Sequence, residues 1–330
     1  RVRRQRQMCI RDSDINDLEV NNDEAGTTVS LIRGVLRGLK DHGYKIGGFN
    51  AYATSDVLVG AGLSSSAAFE VVVGTIISGL YNDMKINSVE IAQISQYAEN
   101  VFFKKPCGLM DQMACSVGGM VNIDFKDPTK PIVKKVPTEF EKYDYSLCIV
   151  DTKGDHVDLT DDYAMIPSEM KKVANFLGED YLRDCDSNEF YIRLDEIREA
   201  VGDRPVLRAI HFFNEEYNVK NAVSSLENGK FVEFLDAIRK SGNSSFKYLQ
   251  NVYTTRDIQH QNISVALALS ESLLRNYGVC RVHGGGFAGT IQAFVKNDFV
   301  SNYKEFINKI FGENSCHVLK VRKYGGIKVM

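Results

Sequence analysis

Apolar residues recur every three or four positions through most of the chain and every second position in a few short stretches. These two periods set out the elements. Residues 27–43 carry Leu31, Val35 and Leu39 at helical spacing and stop at Gly43, which predicts an amphipathic helix. Residues 47–58 alternate Phe49, Tyr52 and Val57 with small or polar neighbours, which predicts a strand. A strongly apolar run over 64–80, with Ala67, Val71, Val72, Ile76 and Leu80, predicts a buried helix. A further helix is predicted over 88–103, capped by Ser88, with Ile91, Ile94, Ala98 and Val101 inward. A short one over 106–117 is entered through Pro106. Strands follow at 120–125, closed by the turn Lys126-Asp127-Pro128, and at 146–151.

After Asp151 the helical period dominates: 159–177 closed by Gly178, then 188–201, then 205–274 with breaks at Gly229 and Gly242. The end alternates, with strands 279–282 and 290–295 around a glycine loop, a helix over 299–311 and a strand over 317–321. The change of texture predicts a boundary near residue 150, with a first lobe over 14–150 and an α+β second lobe over 151–330.

Composition narrows the class. The 330 residues are 44% apolar and 25% charged, enough for a buried core. A net charge of -3 speaks against a nucleic-acid partner, and no apolar run reaches the roughly 18 residues of a membrane span. The charge is uneven: residues 1–13 (RVRRQRQMCIRDS) carry +4 and the other 317 carry -7. The basic start lacks the apolar region of a secretory signal, and QMCIRDS resembles the translated end of a transposase adapter from sequencing-library preparation. Residues 1–13 are therefore set aside as foreign to the protein, which implies that the natural chain begins elsewhere. Seven dispersed cysteines without a CxxC pair predict free thiols in a reducing cytoplasm rather than a disulfide framework or zinc site.

Three segments carry chemistry. In Val59-Gly60-Ala61-Gly62-Leu63-Ser64-Ser65-Ser66-Ala67-Ala68, two glycines and three serines join a strand to a helix N-terminus. Free N–H groups and the helix dipole there favour an anion, and no lysine follows as in a P-loop. An ordinary serine-capped helix would read the same way. In Pro106-Cys107-Gly108-Leu109-Met110-Asp111-Gln112, Asp111 sits among small and apolar residues and is either a helix-terminal acid or a working group. Glu99 lies near the end of an apolar helix, where an acid opposes the dipole; taken singly, each also fits a solvated surface acid. In Arg281-Val282-His283-Gly284-Gly285-Gly286-Phe287-Ala288-Gly289 the glycines match GxGxxG, but a strand follows where a dinucleotide site needs a helix.

In order and spacing these segments resemble the GHMP small-molecule kinases, most closely the branch that phosphorylates galactose, from about Gly34 to the C-terminus. The resemblance implies an α+β, two-lobed fold: a ribosomal-protein-like first lobe, incomplete here, and a ferredoxin-like second lobe. It implies ATP and Mg²⁺, and a sugar phosphorylated at its C1 hydroxyl. Asp111 becomes the catalytic base and a sugar ligand, and Tyr163 a second sugar contact. Ser66 and Glu99 become the metal ligands. Gly60, Gly62, Ser64, Ser65, Ser66, Gly284, Gly285 and Gly286 become the ATP and phosphate contacts.

Three departures stand out. The family's N-terminal Arg-bearing motif is absent, so the chain as given is expected to turn over weakly or not at all. His283 stands where a Thr is usual, and the run Asp162-Tyr163-Ala164-Met165 is atypical after the tyrosine. A related acceptor, galacturonate or N-acetylgalactosamine, and a non-catalytic sugar- or ATP-binding relative stay open. A cytoplasmic monomer with no nucleic-acid or membrane partner is expected.

Overall fold

The computed structural model describes residues 14–57, 63–137, 140–154 and 159–329. Residues 1–13 and the glycines at 60 and 62 lie outside them. The chain divides into two compact units, Arg1–Pro137 with Val321–Met330, and Thr138–Lys320.

The first unit is built on helices α1 (Thr28–Asp41), α2 (Ser65–Tyr81), α3 (Ser88–Tyr97) and α4 (Met110–Val117). Val35, Leu39, Ile77, Ile94 and Ala98 fill its core. Two glycines one turn apart let α1 approach α3 closely. A Cβ on Gly34 would lie 2.7 Å from the Ala98 Cβ, and one on Gly38 would lie 2.8 Å from Ile94 Cγ2. Arg33, buried in α1, reaches back to Glu24 at 3.0 and 2.9 Å and so pins the preceding segment. Strands β1 (Met120–Asp124) and β2 (Ile132–Val136) form an antiparallel pair. Ile123 and Val133 of this pair pack against Leu109 and Met113.

The second unit holds a four-stranded antiparallel sheet in the order β4-β5-β3-β6, from β3 (Tyr145–Asp151), β4 (Gly278–Val282), β5 (Thr290–Lys296) and β6 (Cys316–Leu319). Cys148, Val150, Ile291, Ala293 and Val295 face α10 (Asn262–Leu273) and α11 (Val300–Phe311), which contribute Ile263, Ala266, Tyr303 and Ile307. Phe294, of opposite parity, meets Phe140 and Phe234 at ring separations of 5.4 and 5.3 Å. Both faces are covered, so β3 reads as a continuous apolar run. The strand–helix–strand–strand–helix–strand order is ferredoxin-like. Its first crossover is enlarged by α5 (Thr160–Phe176), α6 (Ser187–Ile192), α7 (Leu194–Val201), α8 (Asp203–Glu227) and α9 (Phe231–Ser244). Among the described residues no helix is long and apolar enough to cross a membrane, and the cysteines are free.

Several expectations are corrected. The units part at Pro137, not near 150, because β3 is a central strand of the second sheet and belongs with its partners. The last residues return to the first unit, where the Arg322 carbonyl accepts from the Gly119 N–H at 2.7 Å. Residues 47–57 form no strand: among the described residues no neighbouring strand completes their backbone hydrogen bonds, and most of 50–57 is exposed. Asn87, not Ser88, caps α3, its Oδ1 accepting from Glu90 N at 2.9 Å. The α-helix of 88–103 gives way at Ala98 to a π-helical turn, Ala98–Phe102. Pro106 does not enter α4, because the Cys107 backbone is bound to Asn100 instead. Gly242 does not break α9; a Cβ there would lie 2.9 Å from the Arg281 Cβ, so it serves close packing on β4.

Replacing Gly34 by Ala is expected to destabilise the protein. Ala is the better helix former by about 1 kcal/mol, but overpacking costs about 1–3 kcal/mol. Thermal unfolding of the variant at or above the wild-type midpoint would show that α1 and the turn following α3 separate freely.

Candidate active site

The first unit brings four predicted residues together in two bonded pairs, from the start of α2 (Ser64, Ser66), the π turn after α3 (Glu99) and the start of α4 (Asp111). Ser64, just before α2, adopts a left-handed backbone (φ 51°, ψ 56°), so its side chain does not cap the helix. Its hydroxyl donates to Asp111 Oδ2 instead. Asp111 is in the first turn of α4, where the dipole favours a carboxylate, and it is exposed. Ser65 and Ser66 occupy the first turn of α2, whose amides have no partner within the helix.

Glu99 lies in the π turn and is 2% exposed. Extra-residue turns of this kind re-aim side chains. Its Oε1 accepts from Ser66 Oγ at 2.7 Å and from Lys105 Nζ at 3.1 Å, and its Oε2 from Gln112 Nε2 at 2.6 Å. Burial alone would raise its pKa; donation from Ser66, Cys107 and Lys105 outweighs that and holds it below the ordinary carboxylate value. The same contact, after burial, pushes the Cys107 thiol up to about 12.

Two members of this set were not anticipated from the sequence. Glu70, one turn after Ser66 on α2, is 0% exposed, and so is Gln112. Gln112 Nε2 reaches Glu70 Oε2 at 3.3 Å as well as Glu99. The signal was an acid inside the apolar run Ala67-Ala68-Phe69-Glu70-Val71, spaced four residues from Ser66.

In the second unit Tyr163 and the glycine segment meet. The loop between β4 and β5 is closed by His283 N–H donating to Thr290 O at 3.0 Å. The Tyr163 hydroxyl donates to Gly286 O at 2.8 Å, and its ring lies edge-on to Phe287 at 5.3 Å. Asn251 Nδ2 donates to Gly285 O at 3.0 Å. A Cβ on Gly286 would fall 1.9 Å from Asn251 O, and one on Gly285 would fall 2.6 Å from Tyr163 Cε1. Asp162, beside Tyr163, is buried and accepts from Thr254 Oγ1 at 2.9 Å.

Among the described residues no three His, Cys, Asp or Glu side chains gather into a metal cage. Glu99 and Ser66 offer one carboxylate and one hydroxyl, hard oxygen donors of the kind Mg²⁺ takes alongside phosphate oxygens and water.

Burial raises the Glu70 pKa from 4.5 to about 8, with the Glu99 charge adding to it. Between these values the folded state holds a proton that the unfolded state has released, so stability falls as pH rises, by at most about 1.4 kcal/mol per unit. Glu99, shifted downward, acts below this window. Glu70→Gln should flatten the urea-unfolding midpoint between about pH 5 and pH 8. An unchanged slope in the variant would place the proton on another group.

The profile described as the GHMP kinases N terminal domain matches residues 30–119. The galactokinase of Limosilactobacillus reuteri (strain DSM 20016) is 30% identical over 306 residues, covering 90% of this chain and 74% of the relative. That of Streptomyces coelicolor is 29% identical over 287 residues, covering 86% and 69%. Among solved structures, Lactococcus lactis galactokinase complexed with galactose superposes with a TM-score of 0.73 at 21% identity, covering 94% of this chain and 79% of that one. Homoserine kinase from Cytophaga hutchinsonii gives 0.53 at 16%, covering 93% and 80%. The two structures agree on the fold, the family profile falls on the segment that holds Ser66, Glu99 and Asp111, and the sequence relatives extend over nine-tenths of the chain: it belongs to the galactokinase family of GHMP kinases.

Proposed function

We propose that the chain transfers the γ-phosphoryl group of ATP to the C1 hydroxyl of galactose, giving galactose 1-phosphate and ADP. The observation that carries this reading is the cluster of Ser64, Ser66, Glu99 and Asp111 at one helix N-terminus, in a chain of this family. Phosphoryl transfer depends on positioning and charge neutralisation more than on covalent chemistry. The first-turn amides of α2, with Ser65 and Ser66, suit the phosphate chain. Asp111 is exposed to a sugar and accepts from the Ser64 hydroxyl. It orients the C1 hydroxyl and takes its proton while the sugar oxygen bonds to the γ-phosphorus. The bond from that phosphorus to the bridging oxygen breaks, and ADP leaves with the electron pair. Glu99 and Ser66 would hold Mg²⁺, which when bound neutralises phosphate charge.

Asp111→Asn should lower kcat by about 100-fold or more, within the usual range for a positioned base, and leave ATP binding intact. A wild-type rate would remove Asp111 from that role. Galactose should be phosphorylated faster than galacturonate or N-acetylgalactosamine in a coupled ADP assay. A preference for either of the others would overturn the acceptor.

A further inference from the structure

Glu70 has no place in the chemistry just described, yet its position is hard to account for by stability. It interrupts an apolar face of α2 with a fully buried carboxyl group. Among the described residues, Glu70 Oε1 and Gln112 Oε1 have no hydrogen-bond partner. An apolar side chain of similar size would remove one of these unpaired oxygens and the cost of burying the group.

What Glu70 does supply is a brace. The Gln112 amide has two N–H bonds. Its nitrogen stands between Glu99 Oε2 at 2.6 Å and Glu70 Oε2 at 3.3 Å. An amide rotated by half a turn would set its carbonyl oxygen against the Glu99 carboxylate, so Glu99 selects the orientation and Glu70 Oε2 braces the same nitrogen from the other side. In that orientation Gln112 holds Glu99 Oε2, which leaves Oε1 directed at Ser66. Gln112 directly follows Asp111 on α4, and Glu70 is one turn from Ser66 on α2. The pair therefore ties together the two helices that carry the site.

We propose that Glu70 is a positioning residue which, through Gln112, fixes the Glu99 carboxylate for a divalent cation and so sets the cation affinity of the nucleotide complex. This rests on the reading of Glu99 and Ser66 as metal-holding residues. Groups that orient a metal ligand commonly change affinity by about 10- to 100-fold when removed. A role in packing alone would alter stability and leave the affinity untouched.

The test measures Mn²⁺ binding to the ADP-loaded protein by electron paramagnetic resonance, beside thermal unfolding, in Glu70→Met, Glu70→Gln, Gln112→Leu and the double variant Glu70→Met/Gln112→Leu. Glu70→Met is expected to unfold at or above the wild-type temperature and to bind Mn²⁺ about 10-fold or more weakly. Glu70→Gln keeps an acceptor for the Gln112 amide and should restore affinity to near wild type. The double variant should bind no more weakly than Gln112→Leu alone, because both act through one contact. Wild-type affinity in Glu70→Met, a failure of Glu70→Gln to rescue, or additive losses in the double variant would each overturn the proposal. Glu99→Gln separates the two levels. If it leaves Mn²⁺ affinity unchanged, the metal-holding reading itself fails; if it lowers affinity while Glu70→Met does not, only the role of Glu70 fails.

Discussion

A carboxylate buried at Glu99 is the constraint around which the first unit arranges itself. An ionised acid out of water needs several donors close by. Here they come from separate segments: Ser66 at the start of α2, Lys105 in the following loop and Gln112 in α4. That charge, the bonds from α4 to α2 through Ser64–Asp111 and Glu70–Gln112, and the apolar core beneath draw these segments together. The π turn that carries Glu99 is the local consequence, since an α-helical continuation from Tyr97 would aim the side chain elsewhere. The loop after it is held in turn, with Gln96 and Asn100 donating to the Cys107 carbonyl at 3.0 and 3.3 Å. Asp111 is thereby delivered next to Ser64 at the head of α2.

The helices were legible because each buries one stripe, and the 3.6-residue period survives in sequence. α1, α2, α5 and α11 lie within about two residues of where their apolar positions put them. The strands of the second sheet are legible for a different reason, being short, mostly apolar runs bounded by turns. What failed was whatever depends on a partner. Residues 47–57 alternate correctly, but alternation describes a strand only when another strand lies alongside. β2, with Lys134 and Lys135 outward, has too weak a pattern to be read alone and forms because β1 pairs with it. Gly242 looks like a breaker, and is a point where a helix touches a strand.

The same division runs through the site. Ser64, Ser66, Glu99 and Asp111 are each compatible with an ordinary capped helix or surface acid, and it is the order and spacing of their segments that marks them. Glu70 lies in an apolar helix run, and its significance rests on Gln112, forty-two positions away and visible only in three dimensions. An acid one turn beyond a candidate metal-binding serine, inside an apolar helix, is a signal worth weighing in any sequence of this kind.

The glycine segment shows how one sequence pattern can have two physical causes. Gly284, Gly286 and Gly289 all have positive φ, at 66°, 83° and 96°. In a dinucleotide fingerprint such glycines open a helix and admit a pyrophosphate. Here the segment runs from β4 into β5, so no helix dipole follows it. The crowding is supplied by the protein's own atoms: Asn251 O against Gly286 and the Tyr163 ring against Gly285. Any side chain at those two positions would displace one or the other. Tyr163 is thus committed to shaping the loop through its hydroxyl bond to Gly286. Its ring is held edge-on by Phe287, and its backbone neighbour Asp162 by Thr254. A tyrosine fixed on three sides keeps one orientation, and with it the loop conformation that the glycines alone would leave free.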